Sequence, residues 1–338
     1  KTQHRLVRRN GLIAAADISD FHRSFSSGLD LHKRVCLLRP PSAPERVSTY
    51  STPPHTAPRH LVGARSRIAC GEPPGYGGTV NAADRWAADL AAWAIPDEIL
   101  AQAPESPWIH PVEMFTVDGD VPDTVSHQRA RAALPENGSV LDVGSGGGRA
   151  AIALIPPAAH LVGVDEQPRM LERFASAAQD RGVTHEEHLG SWPAIAAQVP
   201  AADVVVCHHV AYNVSALVPF VSELSAHARR RVVLELPVRH PLSRLAPYWK
   251  AFWGLDRPTG PRAEDCRDVV AESGADAQLE IWDDVAWSAR TNLSQEQLAR
   301  HTRIRLCLPE SREPEVLAMM LAQPEPGPRR TATIWWDV

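Results

Sequence analysis

The stretch of sequence that decides the fold is Val140-Leu-Asp-Val-Gly-Ser-Gly-Gly-Gly-Arg149. Residues 139–143 form a short apolar run with one acid, and a run of this kind bounded by glycine predicts a buried strand. The alanine-rich segment from Arg149 to Ile155 predicts a helix directly after the glycines. Glycine adopts a positive φ without strain, and its missing Cβ lets a ligand approach the backbone. We therefore predict a strand, a ligand-contacting loop and a helix in succession.

The spacing of the glycines distinguishes between classes of nucleotide ligand. A dinucleotide-binding loop has the pattern GxGxxG or GxGxxA, and Arg149 stands where its third small residue is required. This difference disfavours an NAD(P)-binding oxidoreductase, which we keep as an alternative. The pattern Asp142-x-Gly144-x-Gly146-x-Gly148 instead resembles the acidic-x-Gly-x-Gly-x-Gly motif of class I S-adenosylmethionine (SAM)-dependent methyltransferases, and in particular the bacterial-type small-molecule methyltransferases.

A second strand followed by an acid extends the resemblance. The segment His160-Leu-Val-Gly-Val-Asp165 ends 23 positions after Asp142, and a helix is expected from about Pro168. A carboxylate at this position can accept hydrogen bonds from two ribose hydroxyls. The resemblance implies that Asp165 holds the ribose of SAM, that the loop lies against the methionine part, and that Asp142 helps to hold its ammonium group. The alternative for Asp165 is an N-cap of the next helix.

The third strand is expected to end near residues 188–192, where the family usually places an acid that contacts adenine. Ser191 and Trp192 stand there instead. Ser191 can replace the acid as a hydrogen-bonding group, and Trp192 is equally suited to stacking on adenine or to the core. The resemblance and the loop give one set of candidate cofactor residues: Asp142, Gly144, Ser145, Gly146, Gly148, Asp165, Glu166, Ser191, Trp192 and Cys207.

The remaining strands are expected at 202–207, 231–236, 279–282 and 331–336. We predict an α/β fold, a Rossmann-like, doubly wound, mostly parallel sheet of seven strands, with helices on both faces and the last strand antiparallel. The sequence His208-His209-Val-Ala-Tyr212-Asn213 follows the fourth strand, at the edge where ligands bind in open α/β sheets. A histidine there can serve as a general base, so the candidate catalytic residues are His208, His209 and Tyr212.

Three parts of the chain are expected to differ in character. Residues 1–79 are basic and proline-bearing without a sustained period, and they predict a poorly ordered leader that need not be part of the native domain. Residues 80–137 predict a helical cap that begins at the capping sequence Asn81-Ala-Ala-Asp84. Residues 138–338 predict the SAM-binding domain, with an aromatic-rich insertion at about 237–275 that lines an acceptor pocket or contributes ordinary core.

Composition narrows the classes of function. The scattered, odd-numbered cysteines, Cys36, Cys70, Cys207, Cys266 and Cys307, argue against a disulfide framework and for a cytoplasmic protein. No apolar run approaches the ~20 residues that cross a bilayer. The acidic balance after residue 79 disfavours nucleic acid, and we interpret Arg229-Arg230-Arg231 as cations at the end of a helix.

We expect no metal site, because His185-Glu-Glu-His188 matches no zinc motif and is interpreted as a solvated turn. The sequence therefore predicts an enzyme that transfers a methyl group from SAM to a small molecule. A catalytically idle SAM-binding regulatory module remains a further alternative, because the acid expected near Ser191 is missing. The oligomeric state is not predicted.

Overall fold

The computed structural model describes residues 81–108, 121–285, 293–323 and 327–338. The predicted leader, residues 1–79, lies outside the described residues. None of the helices in the described ranges combines the length and the apolar composition that a membrane span requires.

A single seven-stranded sheet organises the described residues. The strand order is β3-β2-β1-β4-β5-β7-β6, and β7 is antiparallel to both of its neighbours, whereas the other neighbouring pairs are parallel. The predicted fold class is therefore confirmed. The strands are β1 (Gly138–Val143), β2 (Ala158–Asp165), β3 (Thr184–Leu189), β4 (Ala202–His208), β5 (Ala228–Pro237), β6 (Gln278–Asp284) and β7 (Arg329–Asp337).

Helices cover both faces of this sheet. The helices are α1 (Ala82–Ala91), α2 (Asp97–Leu100), α3 (Val125–Arg131), α4 (Arg149–Ile152), α5 (Pro168–Gln179), α6 (Leu217–His227), α7 (Ala246–Trp253), α8 (Ala263–Glu272), α9 (Gln295–Arg305) and α10 (Glu313–Leu321). Side chains of α1, α6 and α8 pack on one face of the sheet. Side chains of α3, α4 and α5 pack on the other face.

Alternation along each strand explains why both faces are apolar. Leu141 and Val143 of β1 point to the first face, and Val140 points to the second, because successive side chains of a strand alternate. The central parallel strands are buried on both sides, which is why they read as nearly continuous apolar runs. A polar side chain in these runs is therefore conspicuous, and Asp142 and Glu235 are two of the few.

A smaller core joins the insertion after β5 to the helices before β7. Trp249 of α7 is 2% exposed and lies among residues that include Ile99, Ala299 and Val316, from α2, α9 and α10. Buried Arg303 of α9 donates hydrogen bonds to Glu105 and Glu313, which ties this core together. The insertion aromatics Tyr248, Trp249, Phe252 and Trp253 thus form core in the described residues.

Two local predictions are wrong. Arg229, Arg230 and Arg231 do not end a helix, because α6 stops at His227 and β5 begins at Ala228. Arg231 instead pairs with Asp337 of β7 at 2.7 Å, so a cross-strand partner explains its charge.

The other wrong prediction concerns the interpretation of residues 185–188 as a solvated turn. These residues form β3, the edge strand, and His185 and Glu187 lie on the same side of it, 2.6 Å apart. Polar side chains suit an edge strand, since its exposed surface is compatible with charge. No group of three His, Cys, Asp or Glu side chains in the described part of the chain is arranged to hold a metal ion.

Candidate active site

The candidate site lies at the carboxyl edge of the sheet, between β1 and β4. Strand order reverses here, because β2 and β3 lie on one side of β1 while β4 and β5 lie on the other. A crevice at such a reversal is where ligands bind in open α/β sheets. Asp142 of β1 is paired with Val206 of β4, so the glycine loop and His208 leave the sheet side by side.

The glycine loop is shaped by residues that a side chain would disrupt. Gly144, Gly146 and Gly148 have φ values of 70°, 52° and 87°, in the left-handed region that favours glycine. The N–H groups of Gly144 and Ser145 donate to the carbonyl of Val164 at 2.8 and 3.0 Å, which fixes the loop to the end of β2. A Cβ built on Gly144 would lie 2.3 Å from Cγ2 of Val210, so the loop after β4 lies directly against the glycine loop.

Asp165 closes the far side of this loop. Its Oδ2 accepts a hydrogen bond from the N–H of Gly146 at 2.9 Å, and its Oδ1 accepts one from the N–H of Gln167 at 2.9 Å. The second contact is an Asx turn, in which the side chain accepts from the N–H two residues further on. The N-cap of α5 is Gln167, so Asp165 is not the N-cap of this helix. Burial raises the pKa of Asp165 above its ordinary value, and the two N–H donors oppose that shift.

Asp142 lies beneath the loop. It is 1% exposed, and its Oδ2 accepts a hydrogen bond from the N–H of Ala151 in α4 at 3.2 Å. Burial raises the pKa of Asp142 well above its ordinary value. The contact observed is with the backbone, so the contact with an ammonium group stays a prediction.

The other predicted cofactor residues are divided between core and surface. Trp192 is 8% exposed and donates from its indole N–H to the carbonyl of Phe220 at 3.3 Å, so its environment is core. Cys207 is buried in the same apolar cluster, and burial raises the pKa of its thiol well above the ordinary value. Glu166 and Ser191 are exposed beside the crevice. Of the candidates, the structure thus brings the glycines, Ser145 and Asp165 together most closely.

A buried carboxylate that the sequence reasoning missed organises the histidines. Glu235 of β5 is directly opposite His208 of β4 and is 3% exposed. Its Oε1 lies 3.1 Å from Nε2 of His209, and its Oε2 accepts a hydrogen bond from the hydroxyl of Thr124 at 3.2 Å. The ring of His127 stacks on His208 with 5.5 Å between the ring centroids. We call Glu235, His208, His209, Thr124 and His127 the Glu235 cluster.

The charge of Glu235 is set by its neighbours. Burial alone would raise the pKa of Glu235, but His208, the hydrogen bond from His209 and the more distant His127 together hold it well below its ordinary range. Glu235 is therefore a carboxylate at neutral pH. Burial lowers the pKa of His127, against the opposing effect of Glu235. The sequence does offer a way to find Glu235, since it is a lone acid within the apolar run 232–236.

Tyr212 lies apart from the Glu235 cluster. Its hydroxyl donates to the carbonyl of Pro237 at 2.8 Å, and its ring stacks on Trp86 with 5.5 Å between centroids. Burial raises the pKa of this hydroxyl, so it stays protonated. The structure thus places Tyr212 in packing between the loop after β4 and the end of β5, and its catalytic role stays a prediction.

Replacing Tyr212 with Phe is expected to lower the free energy of unfolding by about 1 kcal/mol, because one buried hydrogen bond is lost. SAM affinity should stay within a factor of about two, since this hydroxyl contacts only carbonyl groups in the structure. Urea unfolding and titration calorimetry measure the two quantities. Tyr248→Phe, in the smaller core, is the matched control. A large drop in SAM affinity with normal stability would show that the hydroxyl serves the ligand.

Three features together define the class I Rossmann-like methyltransferase fold: the order of the strands in the sheet, the glycine loop and the acid at the end of β2. Residues 140–230 match the family model described as a methyltransferase domain. This match spans the glycine loop, β2 with Asp165, β3, β4 and the histidine pair. No curated protein sequence is similar enough to count as a match.

Two of the solved structures that resemble this chain are methyltransferases by their titles. A SAM-dependent methyltransferase from Thiobacillus denitrificans in complex with S-adenosyl-L-homocysteine (SAH) is 16% identical, with a TM-score of 0.45; the alignment covers 67% of this chain and 96% of that chain. Coclaurine N-methyltransferase, bound to N-methylheliamine and SAH, is 13% identical with a TM-score of 0.42 and coverages of 76% and 93%. Similarity at this level does not identify a substrate.

Residues 140–230 match a methyltransferase domain, and the sheet order and the loop geometry are those of the class I fold, whose cofactor is SAM. The loop fits this cofactor, because its glycines leave the backbone uncovered and Asp165 presents a carboxylate beside it. A loop built for a pyrophosphate would have a different glycine spacing.

Proposed function

We propose that this enzyme transfers the methyl group of SAM to a small-molecule acceptor that enters beside β4. The observation that carries the proposal is the junction of Asp165 with the glycine loop, where Oδ2 lies 2.9 Å from the amide nitrogen of Gly146. Asp165 would hold the ribose, and the backbone of Gly144 to Gly148 would face the methionine part. Glu166 and Ser191, exposed at the same edge, would contact the adenosine.

The residues of the chain have mainly to orient two reactants. Bound SAM supplies a methyl group on a positively charged sulfur, and the sulfur becomes neutral when that group is transferred. Methyl transfer of this type is an in-line displacement, so alignment of donor and acceptor accounts for much of the rate. His208 and His209, which leave the sheet next to the glycine loop, are the groups placed to handle an acceptor proton.

A small acceptor is supported by charge. The chain carries a formal charge of −5, which is unfavourable for a sequence-independent nucleic-acid binder. We place the reaction in the cytoplasm on the scattered cysteines, of which the three in the described ranges are free and buried.

Titration calorimetry of the full chain with SAM, SAH and NADH tests the donor. SAM and SAH are expected to bind with one site each, and NADH is expected not to bind. If a folded sample fails to bind SAM, or binds NADH more tightly, the proposal is wrong. A screen with radiolabelled SAM then separates an enzyme from an idle module, because only the enzyme incorporates label into an added acceptor.

A further inference from the structure

The order of the strands sets the order in which the parts of SAM lie along the carboxyl edge of the sheet. The glycine loop follows β1, Asp165 ends β2, and β3 is the next strand outward. In the proposed function, on which this inference rests, the loop faces the methionine part and Asp165 holds the ribose. Because the ribose carries the methionine part and the base at opposite ends, the adenine falls at the carboxyl end of β3.

A tight turn after β3 holds Ser191 close to Asp165. Leu189 is paired with Asp165 in the register of β3 and β2, and the N–H of Gly190 donates to the carbonyl of Asp165 at 3.0 Å. A Cβ built on Gly190 would lie 2.5 Å from Cγ2 of Ile195, so the turn is closely packed against the segment that follows it. Ser191 is therefore held one residue away from a direct contact with the residue proposed to bind the ribose.

Leu189 gives this end of β3 an apolar surface. It is 57% exposed, which is unusual for a large apolar residue of the described ranges. A purine at the end of β3 would cover this side chain and remove apolar area from water, which favours binding. Contact of this kind is the same for every purine, because it does not involve the groups at the edge of the ring. Leu189 therefore contributes affinity for the base without identifying it.

Ser191 is the polar side chain of this turn. It is exposed, and its hydroxyl makes no hydrogen bond within the part of the chain that the structure describes. The next residue, Trp192, is buried and donates from its indole N–H to the carbonyl of Phe220, so it is turned into the core. The hydroxyl of Ser191 is therefore the side-chain group that the turn offers to the edge of the purine.

The acids near this turn have other positions. Glu187 of β3 pairs with His185 at 2.6 Å. Glu166 follows Asp165 at the end of β2, which places it beside the ribose, one strand short of the base. Residues 190–202, which lead from β3 into β4, contain no Asp or Glu. The segment that meets the base therefore offers it a hydroxyl and no carboxylate.

A serine hydroxyl and a carboxylate interact differently with a purine. An ionised carboxylate only accepts hydrogen bonds, whereas a hydroxyl donates or accepts as it rotates. Position 6 of the purine carries an amino group, a donor, in adenine and an oxygen, an acceptor, in hypoxanthine. We propose that Ser191 contacts position 6 and forms a hydrogen bond with either group, so that this enzyme binds the 6-amino and 6-oxo forms of its methyl donor with similar affinity.

Titration calorimetry of the full chain with two demethylated compounds tests this specificity. SAH carries adenine, and S-inosyl-L-homocysteine is the same molecule with hypoxanthine in its place. We expect their Kd values to agree within about fivefold, no more than one hydrogen bond typically contributes. A larger preference for either compound overturns the inference and leaves the SAM site standing. Binding of neither compound by folded protein contradicts the proposed function instead.

Variants of Ser191 give the second readout. Ser191→Asp is expected to raise the Kd of S-inosyl-L-homocysteine relative to that of SAH by at least about tenfold, because the carboxylate accepts from the amino group and repels the oxygen. Ser191→Ala should weaken both compounds by the same factor. Since Ser191 is exposed, neither variant should lower the midpoint of unfolding. Ser176→Asp, at an exposed position of α5, is the matched control and should change neither Kd. An unchanged ratio in Ser191→Asp places the base elsewhere and overturns the assignment.

Discussion

Replacing Asp165 with Ala is expected to weaken SAM binding about 100-fold while the fold stays intact. A carboxylate that accepts two ribose hydroxyls contributes roughly 1.5–3 kcal/mol for each charge-assisted bond, and a tenfold change in Kd corresponds to about 1.4 kcal/mol. In the free protein the carboxylate forms hydrogen bonds with water, which offsets part of this contribution. The expected net loss of SAM affinity is therefore about 100-fold. Titration calorimetry measures the effect directly.

Two further variants make the result for Asp165 specific. Asp165→Asn keeps the shape and one acceptor, and it should lose less affinity than Asp165→Ala. Asp180→Ala removes an exposed carboxylate at the end of α5 and should change neither affinity nor stability. If Asp165→Ala binds SAM as tightly as wild type, the side chain serves only its hydrogen bonds to Gly146 and Gln167, and the ribose assignment is wrong.

The second large effect is expected at the glycine loop. Gly144→Ala places a Cβ 2.3 Å from Cγ2 of Val210 at a φ of 70°, so the variant has both backbone strain and a clash with a stiff side chain. We expect the free energy of unfolding to fall by about 3 kcal/mol, of which about 1–2 kcal/mol comes from the left-handed conformation. Denaturant unfolding followed by circular dichroism measures the loss.

The variant Gly182→Ala separates the backbone strain from the clash with Val210. Gly182 has nearly the same φ, 68°, but no atom lies within 4 Å of the Cβ that would be added. The free energy of unfolding of this variant is therefore expected to fall only by the contribution of the left-handed backbone conformation, about 1–2 kcal/mol. The combination of Gly144→Ala with Val210→Ala should recover part of the difference, because the clashing methyl groups are gone. Equal destabilisation at Gly144 and Gly182 would show that the loops after β1 and β4 are not in contact.

Much of the fold was predictable because its signals are local. The strand, glycine loop and helix at 138–152 and the acid at Asp165 are each visible within a few residues, and the parallel strands are apolar runs of ordinary length. The arginine run failed as a helix end because arginine suits both helix ends and strands, and its partner Asp337 lies 106 positions away. A third strand ending near residues 188–192 was predicted, but its residues 185–188 were interpreted as a turn because charged residues resemble a turn when the neighbouring strand is unknown.

The part of the candidate site that is proposed to bind SAM was predictable from the sequence, and the part that contains the Glu235 cluster was much less so. The residues proposed to bind SAM lie close together in the sequence, whereas the Glu235 cluster combines side chains from three separate segments. His127 and Glu235 are 108 positions apart, and nothing near either one indicates the other. Only the register of His208 with Glu235, together with the packing of His127 on His208, brings them into one cluster. Sheet register is set by tertiary packing, which a single sequence does not specify.

The placement of β7 has a consequence for how the enzyme is made. This strand pairs with β5 on one side and β6 on the other, so during synthesis β6 has no neighbouring strand in the sheet until β7 has left the ribosome. Domains generally fold as units, and pairings between distant segments form late. The sheet is therefore expected to become stable only after β7 has been made. A ribosome-bound chain stalled before residue 329 should be cleaved by protease much faster than the released chain.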